Sequence, residues 1–71
     1  MVDAKVGLSY FNDFFSSDLQ PQEATTLGGF ILEQLGEVPQ KGKVLEASDL
    51  EMRIHDMVRQ RIRMVIVRKK K

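Results

Sequence analysis

Asp49, Glu51, His55 and Asp56 are the side chains of this 71-residue chain whose types and proximity best suit acid–base chemistry or a bound cation. Carboxylates and an imidazole can pass a proton between them or supply oxygen and nitrogen ligands, provided that they converge. Their spacing argues against convergence. If residues 50–55 form a strand, Glu51 and His55 share a face only as alternate residues, and Arg53 stands between them with a charge that repels a cation. His55 is the single histidine, and its neighbours Arg53 and Asp56 make no triad without a nucleophile held beside them. No cysteine is present, which excludes thiolate catalysis, disulfides and cysteine-ligated zinc or iron–sulfur centres. These residues therefore supply no catalytic group and no metal site, and the chain reads as a non-enzyme.

A second group, Thr26, Gly28 and Gly29, lies in the stretch TTLGGFILEQLG, residues 25–36. Leu27, Phe30, Ile31 and Leu35 recur at steps of three and four, the spacing of one apolar helix stripe. Thr25 and Thr26 sit where an N-cap oxygen would accept from the first amides, and Gly36 sits where a left-handed residue would end the helix. Two glycines in a first turn each cost about 1 kcal/mol relative to alanine. Two roles could offset that. The glycines could clear space for an anion on the helix amides, or they could admit another backbone or a sheet at close range. A phosphate cradle usually adds a lysine or a longer glycine loop, so close approach is the favoured role.

The third group is electrostatic. The formal net charge of +1 conceals a division: residues 1–52 carry three lysines against nine carboxylates, net −6, whereas residues 53–71 carry eight Lys or Arg against Asp56, net +7. If the two halves do not interleave, the molecule presents an acidic and a basic face. Arg59, Arg61, Arg63, Arg68 and the terminal lysines could track phosphates, anionic lipid headgroups or an acidic partner domain, or could simply solvate a strand and tail. No aromatic side chains interleave with them, so base recognition is not expected.

The elements that must position these groups follow from periodicity. Leu8, Phe11, Phe14 and Phe15 form one apolar face of a two-turn helix, with Ser9, Asn12 and Asp13 outward. Ser16-Ser17-Asp18 and Pro21 end it in a loop. Val2 to Val6 alternates as a short strand, Val44-Leu45 opens another, and Ala47-Ser48-Asp49 reads as a tight connection. Leu50, Met52 and Ile54 alternate with Glu51, Arg53 and His55, the pattern of an antiparallel strand with one wet face. The phase slips past Asp56, which predicts a bulge or a strand end. A hairpin turn belongs at Arg59-Gln60-Arg61, and without glycine it predicts a loose loop or a residue in an unusual backbone conformation. The run Ile62–Val67 suits a central strand covered on both faces. Pro39 and Gly42 shape the loop before the strands. The fold class is α+β: two short helices on a small, mainly antiparallel sheet of three to four strands. A chain of this length is one domain with a thin core, burying only ~60% of its unfolded surface. No apolar run approaches the ~20 residues of a membrane span, and the N-terminus has no secretory pattern.

Thr26-Leu27-Gly28-Gly29 opening a helix, Leu35-Gly36 closing it, and Pro39 and Gly42 before three strands together resemble the CorC/HlyC transporter-associated domain. Val2 to Val6, Leu8 and Asn12 extend the resemblance upstream, so it covers nearly the whole of residues 1–71. The resemblance implies a longer opening strand, carrying glycine where this chain has Ala4, and a chain that continues upstream of Met1. It also implies a non-catalytic accessory domain, cytoplasmic and soluble, in a parent protein of the bacterial inner membrane. Neighbouring CBS and transmembrane domains would be its partners, self-association is a further option, and the membrane would be met only through the parent. The family is associated with magnesium and cobalt efflux and with hemolysin-like proteins, so modulation of ion transport is the expected function. Its fold is grouped with part of certain FAD-binding oxidoreductases. That grouping makes FAD or an adenine nucleotide the alternative ligand, with Thr26, Gly28 and Gly29 as the candidate binding residues. A basic nucleic-acid surface is the second alternative.

Overall fold

The computed structural model describes residues 1–70. In chain order the elements are β1 (Val2–Asp3), α1 (Leu8–Phe15), α2 (Leu27–Leu35), β2 (Val44–Ala47), β3 (Leu50–Val58) and β4 (Arg61–Lys69). The strands form one sheet in the order β1-β4-β3-β2, antiparallel throughout, and both helices lie on the same face of it. The expected α+β architecture is present.

The core lies between that face and the helices. Leu8 and Phe11 from α1 and Leu27, Phe30 and Ile31 from α2 meet Leu50, Met52 and Ile54 of β3 and Ile62 and Val65 of β4. Because the helices share one face, β4 is covered on one side only. Val65 is fully buried while Ile66 is 39% exposed, which corrects the expectation that the run 62–67 is sheathed on both faces. The apolar face of α1 is also narrower than its spacing predicts. Phe14 stands 71% exposed and Phe15 is half-buried, stacked between Phe11 and Phe14 at centroid distances of 4.6 and 5.0 Å. α1 buries only Leu8 and Phe11, whereas α2 on the same face buries Leu27, Gly28, Phe30 and Ile31. Asn12, expected outward, is half-buried. Its Oδ1 accepts from Leu19 N (3.0 Å) and Ser17 Oγ (2.8 Å), and its Nδ2 donates to the Leu19 carbonyl (3.2 Å).

Several local signals hold. Thr26 is the N-cap of α2, with its side chain accepting from Gly29 N, and Gly36 ends the helix at φ 74°. Ser48 and Asp49, both at positive φ, make the two-residue turn between β2 and β3, and Gly42 takes φ 94°. The ladder between β3 and β4 shifts register on both sides of Asp56, where the phase slip was expected, and β3 then continues to Val58. The glycine-free hairpin places Arg59 at φ 57°. The opening strand is shorter than its alternation suggests, two residues instead of five. Asp3 ends it, because its Oδ1 accepts from Lys5 N (2.8 Å) and its carbonyl from Val6 N (3.1 Å), folding the backbone into a turn.

Candidate functional site

Thr26, Gly28 and Gly29 do come together with other chemistry-bearing residues. The N-terminal end of α2 forms one wall of an open groove of about 460 Å³, whose other walls are the Asp3–Lys5 turn and the β3–β4 hairpin. Leu32, Val58 and Ile62 supply apolar lining, and Lys5, Arg61 and Arg63 bring cations to the rim. The arrangement could in principle hold an anion.

The backbone of α2 argues for a different use of the glycines. A helix leaves its first amides without intrahelical partners, and these would be the donors to a phosphate. Here each is engaged within the chain. Leu27 N donates to the Val6 carbonyl (3.0 Å), Gly28 N to the Ala4 carbonyl (2.9 Å), Gly29 N to Thr26 Oγ1 (3.2 Å) and Phe30 N to the Thr26 carbonyl (2.9 Å). A β-carbon at Gly28 would lie 3.0 Å from Ala4 Cβ and 3.2 Å from the Ala4 carbonyl oxygen. Gly28 is thus where the backbone of residues 4–6 approaches the helix, and the approach is to this turn just past β1. At Gly29 the corresponding neighbours are Ala24 Cβ at 3.1 Å and Thr26 Oγ1 at 3.2 Å. Thr25 is no cap. Its carbonyl instead accepts from Leu8 N (2.9 Å), at the start of α1. An anionic ligand in this groove would rest on Lys5, Arg61 and Arg63, not on helix amides.

Glu33 escaped sequence reasoning and holds the loop that delivers Thr26. Its two carboxylate oxygens accept from three consecutive amides, Gln22 N (3.0 Å), Glu23 N (2.8 Å) and Ala24 N (2.8 Å). The hydrogen bond from Glu23 N, followed by that from Gln22 N, holds its carboxyl below the ordinary carboxylate value. Nothing local marks this role, since the carboxylate lies nine to eleven residues beyond the amides that it caps. Asn12 did carry a signal, because an asparagine inside a helix tends to bond backbone groups.

The acidic group around His55 does not converge. Asp49 lies in the β2–β3 turn, Glu51 bonds Arg68 Nη2 (2.8 Å), Asp56 bonds Arg63 Nε, and His55 is exposed where the ladder shifts. Among the described residues no three His, Asp or Glu side chains are grouped to hold a metal ion. These pairs show that the condition for separate acidic and basic faces is not met, because the two halves of the chain interleave. The acidic positions of β2 and β3 lie across the sheet from the basic end of the chain, giving Glu46–Lys70 (2.9 Å), Glu51–Arg68 and Asp56–Arg63. The hydrogen bond from Arg63 lowers the Asp56 pKa, and that to Glu46 raises the Lys70 pKa. No helix among the described residues is long and apolar enough to cross a membrane.

The family model of the transporter associated domain, CorC_HlyC, matches residues 1–71. Among solved structures, the chain is similar to a functionally unknown conserved protein from Haemophilus influenzae Rd KW20, at 31% identity and a TM-score of 0.86, over 96% of this chain and 84% of that one. It is also similar to a hemolysin domain from Enterococcus faecalis V583, at 22% identity and a TM-score of 0.90, over 99% and 86% of the two chains. A third neighbour is a candidate Mg2+ and Co2+ transporter (CorC) associated region from Neisseria meningitidis MC58, at 22% identity and a TM-score of 0.89, over 96% and 84%. At 22% identity the last two likenesses show the fold alone. No curated protein matches the chain.

Proposed function

The chain belongs to the transporter associated domain family, CorC_HlyC, and we propose on that premise that it is a non-catalytic accessory domain that modulates ion transport by packing against neighbouring domains of a larger membrane protein. The observation that carries this reading is the closed N-terminus of α2. Leu27 N and Gly28 N donate to the Val6 and Ala4 carbonyls, Gly28 leaves the space that the Ala4 backbone fills, and Gly29 N is taken by the Thr26 cap, so the family's characteristic Thr-Leu-Gly-Gly run serves architecture. The solved neighbour named for a Mg2+ and Co2+ transporter lends the ion its identity in this proposal. Paired CBS domains and a transmembrane region are the partners that the reading requires. Sedimentation velocity of the chain with a CBS-domain pair from a CorC-type protein tests it. A faster-sedimenting complex is expected, and a chain that stays monomeric and indifferent to the CBS pair overturns the reading.

A second reading rests on the groove itself. Its lining of Lys5, Arg61 and Arg63 around an apolar floor suits FAD or an adenine nucleotide, with the phosphates on the cations. A ligand that binds only the folded chain raises the melting temperature by mass action. On this reading FAD or ATP shifts the transition and Arg61→Ala abolishes the shift; an unmoved transition at millimolar ligand removes it.

A further inference from the structure

We propose that the groove between the N-terminal end of α2 and the β3–β4 hairpin is the surface by which the domain meets its neighbour, and that the neighbour brings an acidic segment to it. The segment's carboxylates pair with Lys5 and Arg61, and an apolar side chain between them rests on Leu32 and Val58. The inference builds on the reading of the chain as a domain that packs against others, and adds which face does so and which chemistry that face selects.

The first observation is the charge left over when the ion pairs are formed. Arg63, Arg68 and Lys70 are taken by Asp56, Glu51 and Glu46, whereas Lys5 and Arg61 have no carboxylate partner among the described residues. Both line the groove of about 460 Å³. Asp3 is the single carboxylate of the lining, and its Oδ1 is engaged by Lys5 N (2.8 Å). Cations gathered in a cleft with apolar walls focus their field on whatever enters it. An incoming anion thus meets two charges that no internal pair holds.

The second observation is the apolar surface beside those charges. Val58 is 50% exposed and Leu32 half-buried, and Val58 faces Arg61 across the head of the hairpin, so an apolar side chain and a free cation stand on one wall. That combination suits a protein interface, whose buried centre is apolar and enriched in arginine. No aromatic ring lines the groove for a base to stack on, and the amides of residues 27–30 are spent inside the chain. A carboxylate needs neither, because an arginine fork binds it through two parallel hydrogen bonds. The lining therefore favours a protein segment over the nucleotide of the second reading.

The walls are internal to the chain and already in place. Leu27 N and Gly28 N tie α2 to the Val6 and Ala4 carbonyls, and Val58 pairs with Arg61 to close the hairpin. Val2 faces Val65 and Asp3 faces Met64, so β1 enters from the Ile66 side, and β4 leaves the sheet at Lys69 opposite Leu50. Both directions lead away from the hairpin. A preformed seat leaves less ordering to be done on docking.

The 71-residue chain, labelled with 15N, is titrated at low salt with capped Glu-Leu-Glu and, separately, with capped Lys-Leu-Lys. The acidic peptide is expected to shift the Lys5, Gly29 and Arg61 amides and to bind at least about tenfold more tightly than the basic one. The double variant Lys5→Glu/Arg61→Glu should reverse that preference. Arg53→Glu, on the sheet face turned away from the helices, should keep it, and all three positions are exposed, so melting temperatures should stay near the parent's. No shift at these amides at about 10 mM peptide, equal binding of both peptides, or displacement of neither by the double variant would overturn the proposal, as would ATP shifting the same amides where the acidic peptide does not. In sedimentation with the CBS-domain pair, Arg61→Glu is expected to lose the complex that Arg53→Glu retains. A complex indifferent to Arg61→Glu overturns the groove and leaves the domain-packing reading intact. Groove shifts with the acidic peptide but no CBS complex overturn that reading and uphold the chemistry of the groove.

Discussion

Gly28 is the residue on which the seating of α2 turns. The Ala4 carbonyl that a new β-carbon would meet is itself bonded to Gly28 N, so it cannot retreat without breaking that bond. Gly28→Ala should therefore destabilise by roughly 1–3 kcal/mol, the range for overpacking a tight contact, despite alanine's better helix propensity. At Gly29 the neighbours are a cap hydroxyl and a loop methyl, and Gly29→Ala should cost less than about 1 kcal/mol. Ala4→Gly removes the 3.0 Å neighbour and should recover part of the Gly28→Ala loss, a coupling that urea denaturation of the four variants would measure. Equal losses at both glycines would contradict the assignment. Glu33 makes the second residue-scale prediction. Its folded pKa lies below the ordinary 4.5, so its contribution is present above that value and disappears as pH falls through the lower, folded value. Glu33→Ala should lower the melting temperature at pH 7, and the gap to the parent should close under acid.

At the scale of elements, the sequence was legible wherever a local rule decides the outcome. The stripe of Leu27, Phe30 and Ile31, the Thr26 cap, the Gly36 stop and the alternation of Leu50, Met52 and Ile54 are set by contacts within a few residues of each other, and each stands where its pattern puts it. What periodicity could not convey is which faces find a partner. Phe14 fits the helix stripe and Ile66 fits a buried run, but both are exposed because only one layer of helix covers one side of the sheet. The candidate groove was half legible. Thr26, Gly28 and Gly29 stood out as a motif, whereas Lys5, Arg61 and Arg63 join them only through the β1–β4 pairing. The missing hairpin glycine was legible too, and it has an energetic consequence. A side chain in the left-handed region costs about 1–2 kcal/mol, while glycine adds roughly 0.4–1 kcal/mol of unfolded-chain entropy. Arg59→Gly should thus stabilise by up to about 1 kcal/mol, read as a rise in the denaturant midpoint with an unchanged slope. A loss of stability would mean that the Arg59 side chain contributes more than its geometry indicates.

For the whole molecule, the sheet stitches an acidic stretch of chain to a basic one. The three cross-strand pairs, Glu46–Lys70, Glu51–Arg68 and Asp56–Arg63, are solvent-exposed, so salt screens them and each adds little alone. Their joint effect is to let a nine-residue strand with four cations lie in the sheet without being driven off by its own charge. Stability should accordingly fall at both ends of the pH scale. Asp56 has a folded pKa below the ordinary 3.8, so its share is held above that value and lost as pH drops through the folded one. Lys70 has a folded pKa above the ordinary 10.5, so its share is held below that value and lost as pH climbs through the folded one. Melting temperatures should form a plateau between about pH 5 and pH 10 with a limb on either side. Glu46→Gln should flatten the alkaline limb selectively, because it removes the first cause of the Lys70 shift, and Arg63→Gln should flatten the acid limb. Molar salt should shrink both limbs in the parent. If neither variant changes its limb, the ion pairs do not hold the two halves of the chain together, and apolar packing beneath β3 and β4 alone keeps the basic strand in place.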